Sequence, residues 1–161
     1  MSNRRNRKSP LLRRVAAVAT AGALATTGGV MAASAASAAP YIPRTGTVSD
    51  ATIAAAAQNA GLSGCRGVAT GTWVAIALAE SRGNTHAHAT GIEDSRGLWQ
   101  VNLWANADLV GGRNLYTVSN NAWAAKEVCQ RQGPTAWSTY TNGAYRSFLG
   151  RGYAAARATG A

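Results

Sequence analysis

The sequence is poor in acidic residues and in cysteine. Of its 161 residues only 6 are Asp or Glu and only 2 are Cys, against 16 Lys and Arg. Only 14% of the residues are charged and 47% are hydrophobic, a balance that argues against a wholly disordered polyelectrolyte. The length suffices for one ordinary domain and is too short for several domains with separate cores. We find no internal repeat.

The chain also lacks the residue sets of two common kinds of site. His86 and His88 form a His-x-His pair, but zinc needs three or four ligands and this stretch adds no cysteine or ordered His/Asp set. The Gly111-Gly112 pair has no preceding strand and no Gly-Lys-Ser/Thr sequence, so a phosphate-binding loop is not indicated. We therefore expect no metal and no cofactor.

The net charge of +10 is concentrated at the start of the chain. Six basic residues precede an uncharged stretch over residues 15–43, and without them the net charge is +4. The remaining charge is scattered and forms no aromatic-basic ribbon, so nucleic acid is not the expected partner. The six residues are Arg4, Arg5, Arg7, Lys8, Arg13 and Arg14.

This N-terminal segment has the features of a secretory signal. The uncharged stretch is mildly apolar and ends in Ala36-Ser37-Ala38, a small-x-small cleavage site. A retained membrane anchor is the alternative, which the weak hydrophobicity disfavours. The export route, general or twin-arginine, stays open. We expect a signal peptide over residues 1–38, a short lead over residues 39–48 and one exported domain over residues 49–161.

Two cysteines in an exported chain are most simply explained by one disulfide, between Cys65 and Cys129. Closing a loop of this length stabilises a fold by about 4 kcal/mol in the chain-entropy model. Two free buried thiols are the alternative.

Apolar spacing predicts a mainly α-helical domain with a small irregular or β-containing insert. Ser49 is a candidate N-cap of the first helix, and Asn120 or Asn121 of the third. Residues 97–102 in the middle of the chain favour a short strand or hairpin arm. The helical segments are marked by Ile53, Ala56, Ala57 and Ala60; by residues 72–81, apolar almost all round; by Ala122, Ala125, Val128 and Cys129; and by Ala144, Tyr145, Phe148, Leu149, Gly152, Tyr153 and Ala156.

Glu80 is the only acidic residue that follows a strongly apolar run. Trp73 and Ile76 share its helical stripe, so we expect its carboxyl at the inner end of a buried helix. Burial disfavours the charged form and raises the pKa, which keeps the proton on a carboxylic acid near neutral pH. A protonated carboxylic acid is what protonation of a glycosidic oxygen requires. Alternatively, Glu80 points to solvent or pairs with Arg82 or Arg96.

Several motifs together resemble the lytic transglycosylase SLT family of the lysozyme-like superfamily. The resemblance covers most of residues 49–149, and its Glu-Ser and Gly-Leu-x-Gln motifs are fairly specific as an ordered pair. The motifs are Val-Ala-Ile-Ala-Leu-Ala-Glu-Ser at residues 74–81, Gly-Leu-Trp-Gln-Val-Asn at residues 97–102, Asn121-Ala122, and Trp-Ser-Thr-Tyr-Thr-Asn-Gly-Ala-Tyr at residues 137–145.

The resemblance implies a helical lysozyme-like lobe that cleaves the β-1,4 bond between N-acetylmuramic acid and N-acetylglucosamine in peptidoglycan. Glu80 would be the general acid and base. Its partner would be the glycan strand, in a monomeric protein that is secreted or associated with the cell wall and free of the membrane after signal cleavage. The implied substrate-binding residues are Ser81, Trp99, Gln100, Asn102, Tyr140, for which Tyr145 is a rival, and Asn142.

Tryptophans in such a protein either stack on sugar rings or fill the core. Trp99 is the best stacking candidate because it lies within the Gly-Leu-x-Gln motif, where the family often has methionine. Trp73 and Trp123 have the pattern of core residues.

The products depend on the reaction step after protonation. In lytic transglycosylases the same glutamate acts as base and the muramoyl C6 hydroxyl closes an anhydro ring, whereas hydrolysis normally needs a second carboxylate. Glu93 and Asp94 could supply it, or they are solvated loop residues neutralised by Arg96.

The sequence is also compatible with two other functions. One is a wall-binding protein that keeps the cleft and has lost turnover. The other is a resuscitation-promoting-factor-like muralytic domain, although that family usually has cysteine before its catalytic glutamate, where this chain has Ala79.

Overall fold

The computed structural model describes residues 46–161. The expected signal peptide and most of the lead lie outside this range. The described part is a mainly helical domain with one small antiparallel sheet, which confirms the expected fold class. In chain order the elements are α1 (Asp50–Asn59), α2 (Thr70–Ser81), β1 (His88–Ala89), β2 (Ser95–Arg96), β3 (Val101–Asn102), α3 (Leu103–Val110), α4 (Val118–Gln132), α5 (Ser138–Thr141) and α6 (Leu149–Ala158), with 3₁₀ turns at Cys65–Gly67, Pro134–Ala136 and Ala144–Phe148.

Helix α2 is the centre of the core. Trp73, Ile76 and Leu78 are fully buried, because α1 and α6 pack on it from different sides. Each side chain of this size contributes about 1.5–3 kcal/mol when it is removed from water. The helix begins two residues earlier than the sequence predicts. It ends at Ser81 and is capped by Arg82, whose φ of 56° is left-handed, one residue before the expected stop at Gly83.

The start of α1 confirms the predicted N-cap. The Thr52 backbone N–H donates to the Ser49 side chain over 3.1 Å, which satisfies one of the free amides at the helix N-terminus. Ile53 and Ala57 are buried as predicted.

Helix α4 corrects the predicted cap. It begins at Val118 after Thr117, so Asn120 and Asn121 lie inside the helix rather than before it. Asn121 is buried and its amide is used in tertiary contacts, which override the local capping preference. The predicted apolar face of α4 is buried, including Cys129.

The predicted disulfide is present. Cys65, in the turn before α2, is bonded to Cys129 on α4. The described residues contain no free cysteine. The bridge links two segments that are 64 residues apart in sequence.

The insert consists of three two-residue strands in the order β1-β2-β3, paired antiparallel. Ser95 pairs with Asn102 and Arg96 with Val101, so residues 97–100 form the connecting turn instead of a continuous strand arm. Helix α3, which comes directly after β3, was not predicted from the sequence. Its N-terminus is capped by the Asn102 side chain, which accepts from the Trp104 N–H over 3.0 Å.

The C-terminal apolar stripe is divided between a 3₁₀ turn and α6. Tyr153 is 42% exposed, because it lies over Gly71 on the surface of α2 while Ala155 and Ala156 face the core. None of the helices between residues 46 and 161 has both the length and the apolar character that crossing a membrane requires.

Helices α2 and α6 approach each other most closely at two glycines. A Cβ on Gly152 would overlap the carbonyl oxygen of Gly71, whereas a Cβ on Gly150 in the same helix would meet nothing within 4 Å. Backbone contact at this position therefore requires glycine, and the position two residues earlier does not.

We expect Gly152→Ala to destabilise the domain by about 1–3 kcal/mol, because the helices must move apart to admit the methyl group. Gly150→Ala is the matched control, and we expect it to be neutral or to stabilise by up to about 1 kcal/mol through helix propensity. Urea unfolding followed by circular dichroism measures both. Equal effects of the two substitutions would contradict the close approach.

Candidate active site

A cleft of about 370 Å³ opens between the small sheet and the helices. Its wall includes Glu80 at the end of α2, residues of the three strands and of the loop between β1 and β2, one face of α3 and α4, and the segment that leads into α5. Two of the lining side chains are carboxyls, Glu80 and Glu93.

Glu80 is half-buried, and its side chain is among those that line the cleft. Burial raises the pKa of its carboxyl above the ordinary glutamate value. The hydroxyl of Thr139, which donates to Oε1 over 2.6 Å, acts in the opposite direction, and the charge of Glu93 raises the pKa further. The net effect is a carboxyl that keeps its proton to a higher pH than an exposed glutamate does.

The two arginines that could neutralise Glu80 are engaged elsewhere. Arg82 lies over the ring of Phe148, 4.7 Å from its centroid, and Arg96 donates two hydrogen bonds to Asp94. The expected alternative, in which Glu80 pairs with one of these cations, is therefore wrong. No cation between residues 46 and 161 pairs with Glu80, and burial is the largest influence on its pKa.

Glu93 and Asp94 are neighbours in sequence with different surroundings. Asp94 accepts from Arg96 over 2.7 and 2.8 Å and lies 2.8 Å from His88 Nε2, and the Arg96 hydrogen bond lowers its pKa. Glu93 lines the cleft and accepts from the Ser95 hydroxyl over 2.7 Å. Arg96 is thus the partner of Asp94, as expected, whereas Glu93 belongs to the cleft.

Gln100 lines the cleft from the turn between β2 and β3. Its backbone is left-handed, with a φ of 44°, a conformation that costs a non-glycine residue about 1 kcal/mol or more. Its amide nitrogen donates to the carbonyls of Ala87 and Gly97 over 3.0 and 2.8 Å. These bonds fix the side chain in one place, with its carbonyl oxygen left as an acceptor.

The Asn121 side chain fixes this turn through hydrogen bonds to the backbone. Its Oδ1 accepts from the Trp99 N–H over 2.8 Å, and its Nδ2 donates to the carbonyls of Arg96 and Leu115 over 2.8 and 3.0 Å. Gly97 lies against the same amide, where a Cβ would overlap it. Asn102, at the end of the turn, both lines the cleft and caps α3.

Two of the predicted substrate-binding residues are buried in the core and do not line the cleft. Ser81 is buried, donates to the Ala77 carbonyl over 3.0 Å and accepts from the Gly83 N–H over 3.1 Å, so it closes the end of α2. Trp99 is fully buried and offers no face to a sugar ring. The expectation that Trp99 stacks on the glycan is therefore wrong.

The C-terminal motif contributes different residues from those predicted. Tyr140 stacks on Tyr145 with ring centroids 5.0 Å apart, and the exposed Asn142 accepts from the Ala144 N–H over 2.9 Å. Neither lines the cleft. Thr139, one residue before Tyr140, contacts Glu80, a pairing that joins positions 59 apart in sequence and has no local signal.

The remaining tryptophans divide between core and surface. Trp73 is fully buried as predicted, whereas Trp123 is half-buried with the Arg113 guanidinium 3.9 Å above its ring. Trp104 on α3 is 63% exposed and adjoins Ala105, which lines the cleft. Among residues 46–161 the tryptophan that lines the cleft is Trp137, which is buried.

The predicted absence of a metal stays a prediction. His88 is hydrogen-bonded to Asp94 and His86 is stacked on Tyr116 with centroids 5.6 Å apart. Over residues 46–161 no three His, Cys, Asp or Glu side chains are grouped as metal ligands.

A family model described as a lysozyme-like domain matches residues 54–139. The matched range begins in α1 and ends at Thr139, and it includes Glu80, Glu93 and Gln100. It therefore contains both cleft carboxyls, Glu80 and Glu93, and the Thr139 hydroxyl that is hydrogen-bonded to Glu80.

We expect Thr139→Val to raise the pKa of Glu80, because the Thr139 hydrogen bond favours the charged carboxylate and the substitution removes it. Carbon-detected NMR titration of the Glu80 carboxyl in ¹³C-labelled protein measures the shift. Thr141→Val is the matched control, since the exposed Thr141 donates to the Ser138 carbonyl instead. A Glu80 titration that is identical in the wild type and in Thr139→Val would contradict the assignment.

Proposed function

Because the chain belongs to the lysozyme-like domain family, we propose that it is a peptidoglycan-cleaving enzyme in which Glu80 is the general acid. The family supports a glycosidase-type enzyme whose partner is the glycan strand of peptidoglycan. The bond that we propose is the β-1,4 linkage between N-acetylmuramic acid and N-acetylglucosamine. The observation that carries the proposal is the half-buried Glu80 carboxyl in the cleft, which pairs with no cation among residues 46–161.

The surroundings of Glu80 suit a proton donor that must later become a base. Burial keeps the proton on the carboxyl until a glycosidic oxygen can accept it. Once the proton has left, the Thr139 hydroxyl stabilises the carboxylate through its hydrogen bond to Oε1. The same carboxylate can then take a proton from the oxygen that attacks the anomeric carbon.

The walls of the cleft supply contacts for the sugar. Gln100 and Asn102 present amide groups on one side, and we propose that these bind glycan hydroxyl or acetamido groups. We propose the exposed Trp104, which precedes the cleft residue Ala105 in the chain, for the stacking role expected of Trp99, because the cleft residue Trp137 is buried. Tyr140 and Asn142 do not line the cleft, so we assign them no direct contact with the sugar.

We further propose that the protein works outside the cytoplasm as a monomer, on the cell wall or in the medium. The Cys65–Cys129 disulfide supports this location, because disulfides persist in oxidising compartments. The proposed signal peptide over residues 1–38 would provide the export.

We expect Glu80→Gln to reduce cleavage of purified sacculi by at least about 10²-fold, because an amide cannot donate the proton. Binding of the variant to sacculi in a sedimentation assay should stay near the wild-type level. Glu127→Gln is the matched control, since Glu127 pairs with Lys126 over 2.8 Å and lies outside the cleft.

Mass spectrometry of the released fragments shows which bond is broken. Substantial cleavage by Glu80→Gln would contradict the role of Glu80. A wild-type protein that binds sacculi and releases no fragments would instead show a wall-binding protein without turnover.

A further inference from the structure

We propose that Glu93 is a second catalytic carboxylate, which activates a water molecule for attack on the anomeric carbon, so that the protein hydrolyses the glycan instead of forming anhydro ends. The inference rests on the proposed function of Glu80 and specifies its chemistry. It starts from the placement of Glu93 in the same cleft as Glu80, on a different element of the fold.

Among residues 46–161 no cation forms a salt bridge with the Glu93 carboxyl. The salt bridges among residues 46–161 leave Glu93 out, and the nearby Arg96 and His88 are both engaged with Asp94. Its one side-chain hydrogen bond comes from the Ser95 hydroxyl to Oε2 over 2.7 Å. This bond fixes the carboxylate and leaves Oε1 as a free acceptor for the hydrogen of a water molecule.

The two carboxyls line one cleft, and each is hydrogen-bonded to a different hydroxyl. The charge of Glu93 is one cause of the raised pKa of Glu80, yet Glu80 is hydrogen-bonded to Thr139 and Glu93 to Ser95. The cleft volume of about 370 Å³ is far larger than the roughly 30 Å³ that one water occupies. Inverting glycosidases place an acid and a base on opposite sides of a cleft with room for a water between them, and we assign these roles to Glu80 and Glu93.

Atoms and protons balance in the proposed step. Glu80 donates its proton to the glycosidic oxygen, and the bond between the muramoyl C1 and that oxygen breaks. The water oxygen forms a new bond to C1 from the opposite face while Glu93 accepts one water proton. The products are a free 4-hydroxyl and a reducing-end muramic acid of inverted configuration. Exchange with solvent returns the proton to Glu80 and removes the one on Glu93.

Ring closure by the muramoyl C6 hydroxyl would not need Glu93. One carboxyl suffices for that reaction, because Glu80 can first donate and then accept the proton. A second carboxyl in the same cleft, unpaired among residues 46–161, repels the ionised form of Glu80. Water activation gives this otherwise unfavourable charge a role, and the repulsion adds to the larger effect of burial on the pKa of Glu80.

The wild-type products test the proposal first. Mass spectrometry of digested sacculi should show reducing ends, and NMR of a short glycan oligomer at early times should show the inverted anomer. Anhydro ends as the main product, or retention of configuration, would overturn the proposal. This measurement needs no variant and is therefore independent of any effect of substitution on folding.

Variants of Glu93 test the role of the side chain. We expect Glu93→Gln to lower kcat by about 10²-fold or more with a smaller change in KM, because general-base catalysis is lost. Added azide should restore bond cleavage in Glu93→Ala as an inverted glycosyl azide, since azide attacks without a base. Azide should not restore Glu80→Gln, which lacks the acid.

Asp94→Asn is the matched control, because it removes a carboxylate from the same loop but outside the cleft. Its kcat should stay within about threefold of the wild type. Wild-type-like turnover of Glu93→Gln, or an inactive Glu93→Ala that azide does not rescue, would overturn the proposal. The two hypotheses fail separately. An active Glu80→Gln refutes the proposed function. An inactive Glu80→Gln together with anhydro ends in the wild-type digest refutes only the role of Glu93.

Discussion

The burial of one carboxyl at the end of a buried helix is the constraint on which the site depends. Helix α2 is apolar on almost every side, and its packing against α1 and α6 fixes where its last turn lies. Glu80 follows this apolar run and reaches the cleft from the core side. The carbonyl end of α2 also carries the negative end of the helix dipole, which disfavours another negative charge there. The cost of ionising Glu80 is thus built into the packing of the domain.

Buried tryptophans hold the parts of the cleft together. The Trp99 indole donates to the Trp73 carbonyl on α2 over 3.0 Å, and the Trp137 indole donates to the Trp99 carbonyl over 2.7 Å. Trp73 and Trp137 also meet edge to face, with centroids 5.2 Å apart. These contacts connect α2, the turn that carries Gln100 and the start of α5, which carries Thr139. Trp99, the tryptophan of the Gly-Leu-x-Gln motif, therefore positions the site from within the core.

Patterns in the sequence predict the features that depend on residues close together in the chain, such as helix caps and apolar helix faces. The N-cap at Ser49, the buried length of α2, the apolar face of α4 and the placement of Glu80 all result from spacing and capping. The short strands and α3 were harder to predict, because two-residue strands give almost no periodic signal and α3 is only two turns long. Asn121 was predicted as a helix cap, the local use of asparagine, whereas a tertiary use prevails in the fold.

The missed site residues are those defined by long-range contacts. Thr139 meets Glu80 across 59 positions of sequence, and no spacing rule connects them. Glu93 and Asp94 are equivalent in the sequence, and only the fold turns one to the cleft and the other to Arg96. The resemblance to a family supplied the motif residues, yet it could not separate the residues that line the cleft from those that support it.

The most direct measurement of the central claim is the free energy of unfolding of the wild type and of Glu80→Gln as a function of pH. A carboxyl whose pKa is higher in the folded state than in the unfolded state destabilises the fold once the unfolded chain ionises. The account predicts that the stability of the wild type relative to Glu80→Gln falls as the pH rises from about 4.3, the ordinary glutamate pKa, through the raised pKa of Glu80, and then levels off. A difference that is independent of pH, or that moves in favour of the wild type as the pH rises, would contradict it.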